Sequence, residues 1–139
     1  MKRSRSWLAA LAALTLILVP FARAAEAPKA PTRIENAASG EVTEKGKITG
    51  EEFADYAISA EVGQSLSIVL EANSKNCHFN LIAPSSPSPI YNSTITGDRY
   101  RANVRESGDY VVRVYIVRRG ARKGESASYS IAFRLAAAQ

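Results

Sequence analysis

Apolar residues recur at every second position through most of the chain. Leu66, Ile68 and Leu70 alternate with Ser65, Ser67 and Val69; Val112, Val114 and Ile116 alternate with Arg113 and Tyr115. Near the C-terminus Tyr129, Ile131 and Phe133 alternate with Ser128, Ser130 and Ala132. A period of two marks a half-buried strand, whose side chains point to opposite faces in turn. The β-branched and aromatic residues at these positions suit strands. Turn-forming clusters separate the runs: Val62-Gly63, Asn73–Asn76, Pro84–Pro87, Thr96–Asp98, Ser107–Asp109 and Arg119-Gly120. The pattern predicts strands near 46–49, 53–60, 64–72, 77–83, 88–92, 99–105, 109–118 and 127–135, and no helix. This is an all-β chain, an antiparallel β-sandwich or jelly roll of about eight strands.

The N-terminal segment follows a different rule. Lys2, Arg3 and Arg5 precede an apolar run from Trp7 to Val19, then Pro20 and Ala22-Arg23-Ala24. That is the anatomy of a cleavable signal peptide over residues 1–24, with cleavage before Ala25. The run is shorter than the about 20 residues needed to span a bilayer, so an exported, periplasmic protein with no stable membrane insertion after cleavage is expected. No cysteine stands at the cleavage point to carry a lipid, and Arg3 and Arg5 are not adjacent as in a twin-arginine signal. Residues 25–45 hold Ala27-Pro28 and Ala30-Pro31 without apolar periodicity and read as a flexible leader. Residues 46–135 form the expected binding domain and 136–139 a tail.

Removing the signal changes the charge. The whole chain has 18 basic and 13 acidic residues, net +5. Lys2, Arg3, Arg5 and Arg23 leave with the signal, so 14 basic residues face 13 acidic ones, net +1. Bulk charge therefore gives no support to nucleic-acid binding. Tyr91, Tyr100, Tyr110 and Tyr115 fit the strand period better than a stacking platform interleaved with basic residues. The charge is uneven, with 5 basic and 9 acidic residues over 25–97 against 9 and 4 from Asp98 onward. Such asymmetry points to an interaction surface.

Cys77 is the only cysteine, so no disulfide can form within the chain although export leads to an oxidising compartment. The domain must hold by packing, with Cys77 buried; a bridge between two chains is the minor alternative. His78 is the only histidine, placed in a predicted strand with no activated nucleophile marked for it. Cys77 and His78 are strand neighbours and point to opposite faces, so they do not chelate one ion. No catalytic residue, metal site or cofactor is expected. A pair of glycosidase-type carboxylates far apart in the chain stays open.

The segment 113–125 carries the strongest signal. A strand with Arg113 and Tyr115 runs into a loop bearing Arg118, Arg119, Arg122 and Lys123, with Gly120 and Gly124 lending backbone freedom. Arginine's planar fork engages carboxylates through two hydrogen bonds, so the loop suits an acidic partner, whether protein, glycan or nucleic acid. A solvated basic loop guarding a sheet edge accounts for the same residues.

Two resemblances follow. Ala60–Ile68 and Ser107–Val114 resemble the bacterial prepeptidase C-terminal type of β-sandwich. More narrowly, from about Ile48 to Phe133, the chain resembles the periplasmic inhibitors of goose-type lysozyme. The matching residues are Asp55-Tyr56, Phe79-Asn80-Leu81, Tyr91–Thr94, and Arg113-Val114-Tyr115 followed by Arg118, Ala121-Arg122-Lys123, Glu125 and Tyr129. The resemblance implies a protein that plugs the substrate cleft of goose-type lysozyme and protects peptidoglycan. It implies that Tyr56, Arg118 and Arg122 lie at the contact surface, supported by Arg113 and Tyr115; Arg119 and Lys123 belong to the same basic loop. Lys123 stands where a second arginine is usual and His78 where an aromatic is usual, and the stretch Ala83–Pro89 is unusually rich in proline. The alternatives are a non-inhibitory module binding a cell-envelope glycan or protein, and a cryptic hydrolase.

Overall fold

The computed structural model describes residues 29–137. The expected signal peptide and its cleavage point fall in residues 1–28, outside the described residues, as do residues 138–139.

The described chain forms nine strands: β1 Thr32–Ile34, β2 Val42–Thr49, β3 Phe53–Ala60, β4 Ser65–Ala72, β5 Cys77–Ile82, β6 Pro89–Asn92, β7 Arg99–Asn103, β8 Gly108–Ile116 and β9 Ser126–Ala136. Two helical turns interrupt them, α1 Ser93–Thr96 and α2 Arg118–Ala121. One sheet has the order β1-β3-β8-β5-β6 and the other β2-β9-β4-β7. All pairings are antiparallel except β1 with β3. The inward residues of both sheets form one core, with Ile58, Leu66, Ile68, Phe79, Leu81, Val112, Val114, Ile131 and Phe133 almost fully buried. These are the apolar positions of the two-residue period, and burying each such side chain contributes about 1.5–3 kcal/mol.

The structure departs from the sequence pattern at both kinds of edge. The strand expected at 46–49 begins at Val42, and β1 lies within the segment read as a flexible leader. Ile34 and Ala37 are buried in the core, and the Leu135 N–H donates to the Ala37 carbonyl at 2.9 Å. The period was too faint to see here. Of eight β2 residues only Ile48 is buried, and β1 offers a single core residue, Ile34, between Arg33 and Glu35. Two helical turns also replace expected loop, each too short to show a helical period. Asn92 starts α1, its Oδ1 accepting from the Thr94 N–H at 2.9 Å, the standard use of an asparagine at a helix start.

Gly46 pairs with Tyr129 across β2 and β9. A Cβ at Gly46 would lie 2.6 Å from the ring carbon Cζ of Tyr129. The missing side chain makes room for the ring, whose hydroxyl then meets that of Tyr56 at 2.6 Å in the interior.

Candidate partner-binding site

Three connections meet at one end of the sandwich. The Gly50 N–H of the β2–β3 turn donates to the Glu125 carbonyl at 2.8 Å, and the Val117 N–H donates to the Asn76 carbonyl at 2.8 Å. The β4–β5 turn, residues 73–76, thereby fixes the start of the β8–β9 connection. That connection folds as α2, with the Ala121 N–H bonded to Val117 and the Arg122 N–H to Arg118, both at 3.0 Å.

Side chains lock the turn further. The Glu125 carboxylate accepts from Asn76 Nδ2 at 2.7 Å and from the Ser74 hydroxyl. Those two hydrogen bonds hold its carboxyl below the usual range, because they favour the charged form. Arg119 donates to Asn76 Oδ1 at 3.1 Å. Gly120 is not a point of freedom, as expected from the sequence, but a point of close packing. A Cβ there would come within 2.9 Å of Ile116 Cγ2 and 3.1 Å of Asn76 Nδ2. Gly124, at φ +67°, does use the left-handed region that glycine enters without strain.

Arg118 and Arg122 stand four apart on this turn and are both exposed, as is Lys123. Residues four apart on a helix share a face. Among the described residues, none of these three side chains makes a hydrogen bond or ion pair. The locked turn therefore carries cations with nothing of their own to bind. Lys75, Arg119 and Lys123 border a shallow depression of about 570 Å³ beside it.

Arg113 does different work. Its guanidinium grips the Asp55 carboxylate with two hydrogen bonds of 2.8 Å, across register partners of β3 and β8. It also lies over the Phe53 ring, 4.0 Å from the centroid, a cation–π contact. Tyr115, half-buried, sits between its register partners Phe53 and His78. Arg113 and Tyr115 thus build the outer sheet surface below the arginine turn. Phe53 is half exposed and sequence reasoning missed it. Its parity with Asp55, opposite to that of the buried Tyr56, is the signal that places it outward.

Tyr56 does not join this surface. It is 5% exposed, packs 5.6 Å from the Phe133 ring centroid, and bonds to Tyr129. The expectation that it lies at the contact surface is corrected: the β3 register turns it into the core while Asp55 and Phe53 face out.

The histidine region is organised but not for proton relay. His78 Nδ1 lies 3.1 Å from Asp98 Oδ1 and 3.3 Å from Ser93 Oγ. A Ser-His-Asp triad needs the serine on one ring nitrogen and the carboxylate on the other, and here both crowd one nitrogen. Ser93 is 2% exposed, and its Oγ accepts from the Phe79 N–H at 2.9 Å. The cluster ties α1 to β5. Cys77, on the opposite face, is buried. Among the described residues no group of three or more His, Cys, Asp or Glu converges as a metal site would, and no helix is long and apolar enough to cross a membrane.

No protein-family model matches the sequence, and no curated protein matches it. Solved structures do. The Aeromonas hydrophila protein PliG, a periplasmic lysozyme inhibitor of g-type lysozyme, is 26% identical with a TM-score of 0.67, over 76% of this chain and 95% of that one. The Salmonella Typhimurium PliG, an inhibitor of the same kind, is 22% identical with a TM-score of 0.57, over 76% and 97%. The pre-peptidase C-terminal domain of a Bacillus anthracis collagenase is 18% identical with a TM-score of 0.53, over 79% and 98%. These neighbours share the fold. The chain is similar in structure to the periplasmic inhibitors of g-type lysozyme, the family its sequence resembles, and to the prepeptidase C-terminal sandwich.

Proposed function

We propose that this protein is an exported, non-catalytic inhibitor that inserts the α2 turn into the substrate cleft of a goose-type lysozyme. The observation that carries the proposal is the hydrogen-bonded turn with Arg118 and Arg122 exposed and unpaired, on a fold similar to that of the Aeromonas inhibitor. A glycoside hydrolase cleft depends on carboxyl groups, and a guanidinium brought against them as water is excluded forms a strong, two-pronged pair. The Glu125–Asn76–Ser74 lock holds the turn in shape before contact, which limits the entropy lost on binding. Arg119 and Lys123 sit at the rim of the contact; Arg113, Tyr115 and Phe53 form its supporting surface. Periplasmic residence follows from the same reading.

The test is a cell-wall lysis assay, with the chain from Ala25 onward titrated against goose-, chicken- and invertebrate-type lysozymes. Saturable inhibition of the goose type is expected. Truncating one partner of a desolvated charge pair costs about 2–5 kcal/mol, so Arg118→Ala with Arg122→Ala raises the inhibition constant at least about thirtyfold while the melting temperature holds. Inhibition by the native chain that is untouched by the double variant would move the contact elsewhere on the sandwich. Absence of inhibition in every class would favour a non-inhibitory envelope-binding module.

A further inference from the structure

The outer face of the four-stranded sheet has no part in the proposed lysozyme contact, and its composition is unusual. Its outward positions on β9 and β4 are mostly short: Ser128, Ser130, Ala132, Ser67 and Val69. Cations border this floor on both sides. Lys45 and Lys47 stand on β2 at one edge, Arg99 and Arg101 on β7 at the other, and Arg134 rises from β9 between them. All five are exposed, and among the described residues none has an ion pair or side-chain hydrogen bond. Glu71 is the outward carboxylate within these strands, and Glu41 precedes β2. The strand order β2-β9-β4-β7 sets the two edges about 14 Å apart, at about 4.8 Å per strand. Along the strands the register runs from Lys47 opposite Ser128 to Arg101 opposite Ser67, which pairs with Arg134. Six residues of β9 cover about 20 Å.

We infer that this face is an electrostatic docking surface for an anionic lipid bilayer. The cations spread in two dimensions over a floor of short side chains, so they reach a planar array of headgroup phosphates together. A linear polyanion would meet only one row of them. Among the described residues the exposed large apolar side chains, Phe53, Val62, Ile90 and Ile95, all lie off these strands, so nothing on this face inserts into acyl chains or suits an apolar protein interface. Binding is peripheral and reversible. It weakens with salt, which screens charges beyond about 8–10 Å.

The test is co-sedimentation of the chain from Ala25 onward with phosphatidylglycerol/phosphatidylcholine vesicles, against phosphatidylcholine alone, at low and physiological salt. Binding to the anionic vesicles alone is expected. Each cation near an anionic surface strengthens binding about fivefold. The variant Lys45→Ser, Arg99→Ser, Arg134→Ser is therefore expected to bind about a hundredfold more weakly. Should that variant fail to fold, Lys47→Ser with Arg101→Ser replaces it, with about a twenty-fivefold loss. Arg118→Ser, Arg122→Ser, Lys123→Ser removes the same charge from the end of the sandwich and leaves vesicle binding unchanged. An equal loss in that variant would overturn the surface, showing that net charge alone governs binding. So would retention of polyphosphate by a native chain that ignores the vesicles.

Discussion

Tyr129 joins residues far apart in the chain: Gly46 opens space for its ring, and its hydroxyl shares a hydrogen bond with that of Tyr56. Burial, together with the Tyr56 contact, pushes its phenol far above the usual tyrosine value, so both hydroxyls stay neutral and each depends on the other. Tyr129→Phe leaves the Tyr56 hydroxyl without its partner, a loss of about 1–3 kcal/mol. Removing both hydroxyls, Tyr56→Phe with Tyr129→Phe, is expected to cost less than the single change. Urea denaturation of the single and double variants measures the difference; a double variant weaker by the plain sum of the singles would show the hydroxyls to be independent. Cys77 follows the same logic of burial. Its thiol is pushed up to about 11, first by burial and then by Asp98 and Glu125, so little thiolate exists near neutrality and a bridge between two folded chains is disfavoured. At this scale the sequence was half legible. Cys77 was readable as buried because it is the lone cysteine of a chain expected to be exported, whereas Tyr56 was placed at the contact surface by the resemblance, and the β3 register turns it inward.

Among the elements, β1 is tied down by charge as well as by packing. Arg33 Nη2 lies 2.8 Å from Asp109 Oδ2, and Nη1 bonds to Ser59 Oγ at 3.1 Å, stapling β1 to β8 across β3. The Arg33 hydrogen bond, with that from Ser59, lowers the Asp109 carboxyl to about 2. A carboxyl depressed in the folded state stabilises it above the unfolded value of 3.8 and loses that effect as pH falls toward about 2. The pair is about half exposed, so the effect is modest. Asp109→Asn is expected to lower stability at neutral pH, with the gap to the native chain closing between about pH 4 and pH 2. Denaturation curves across that range check it, and a gap independent of pH would show that the carboxylate charge is not what holds β1. The long central strands were legible because both period and β-branching agreed. β1 escaped because three residues cannot show a period. The α2 turn escaped because its order comes from Asn76, Ser74 and Glu125, contacts between connections that the local sequence does not display.

For the molecule as a whole, the two-sheet sandwich was legible in the alternation alone, since a period of two repeated through short strands leaves few other architectures. The candidate site was legible as composition, a basic loop after β8, but not as shape. The hydrogen bonds that lock the turn and the pairing of Arg113 with Asp55 arise from tertiary contacts. The fold also separates charge by location. Cations on α2 sit at the end of the sandwich, those on β2, β7 and β9 cover one broad face, and Arg113 is neutralised by Asp55 on the other.

The parallel pairing of β1 has one more effect. It lies against Tyr56–Ile58 of β3, covering the middle of a strand that otherwise ends its sheet. An uncovered strand edge is a template for another chain. β1 therefore leaves three residues as the edge of this sheet in place of the eight of β3, a shorter template for another chain. Ile34→Ala costs about 2–5 kcal/mol at a buried isoleucine and loosens that cover. Light scattering at rising protein concentration is expected to show chain-to-chain association in this variant while the native chain stays dispersed.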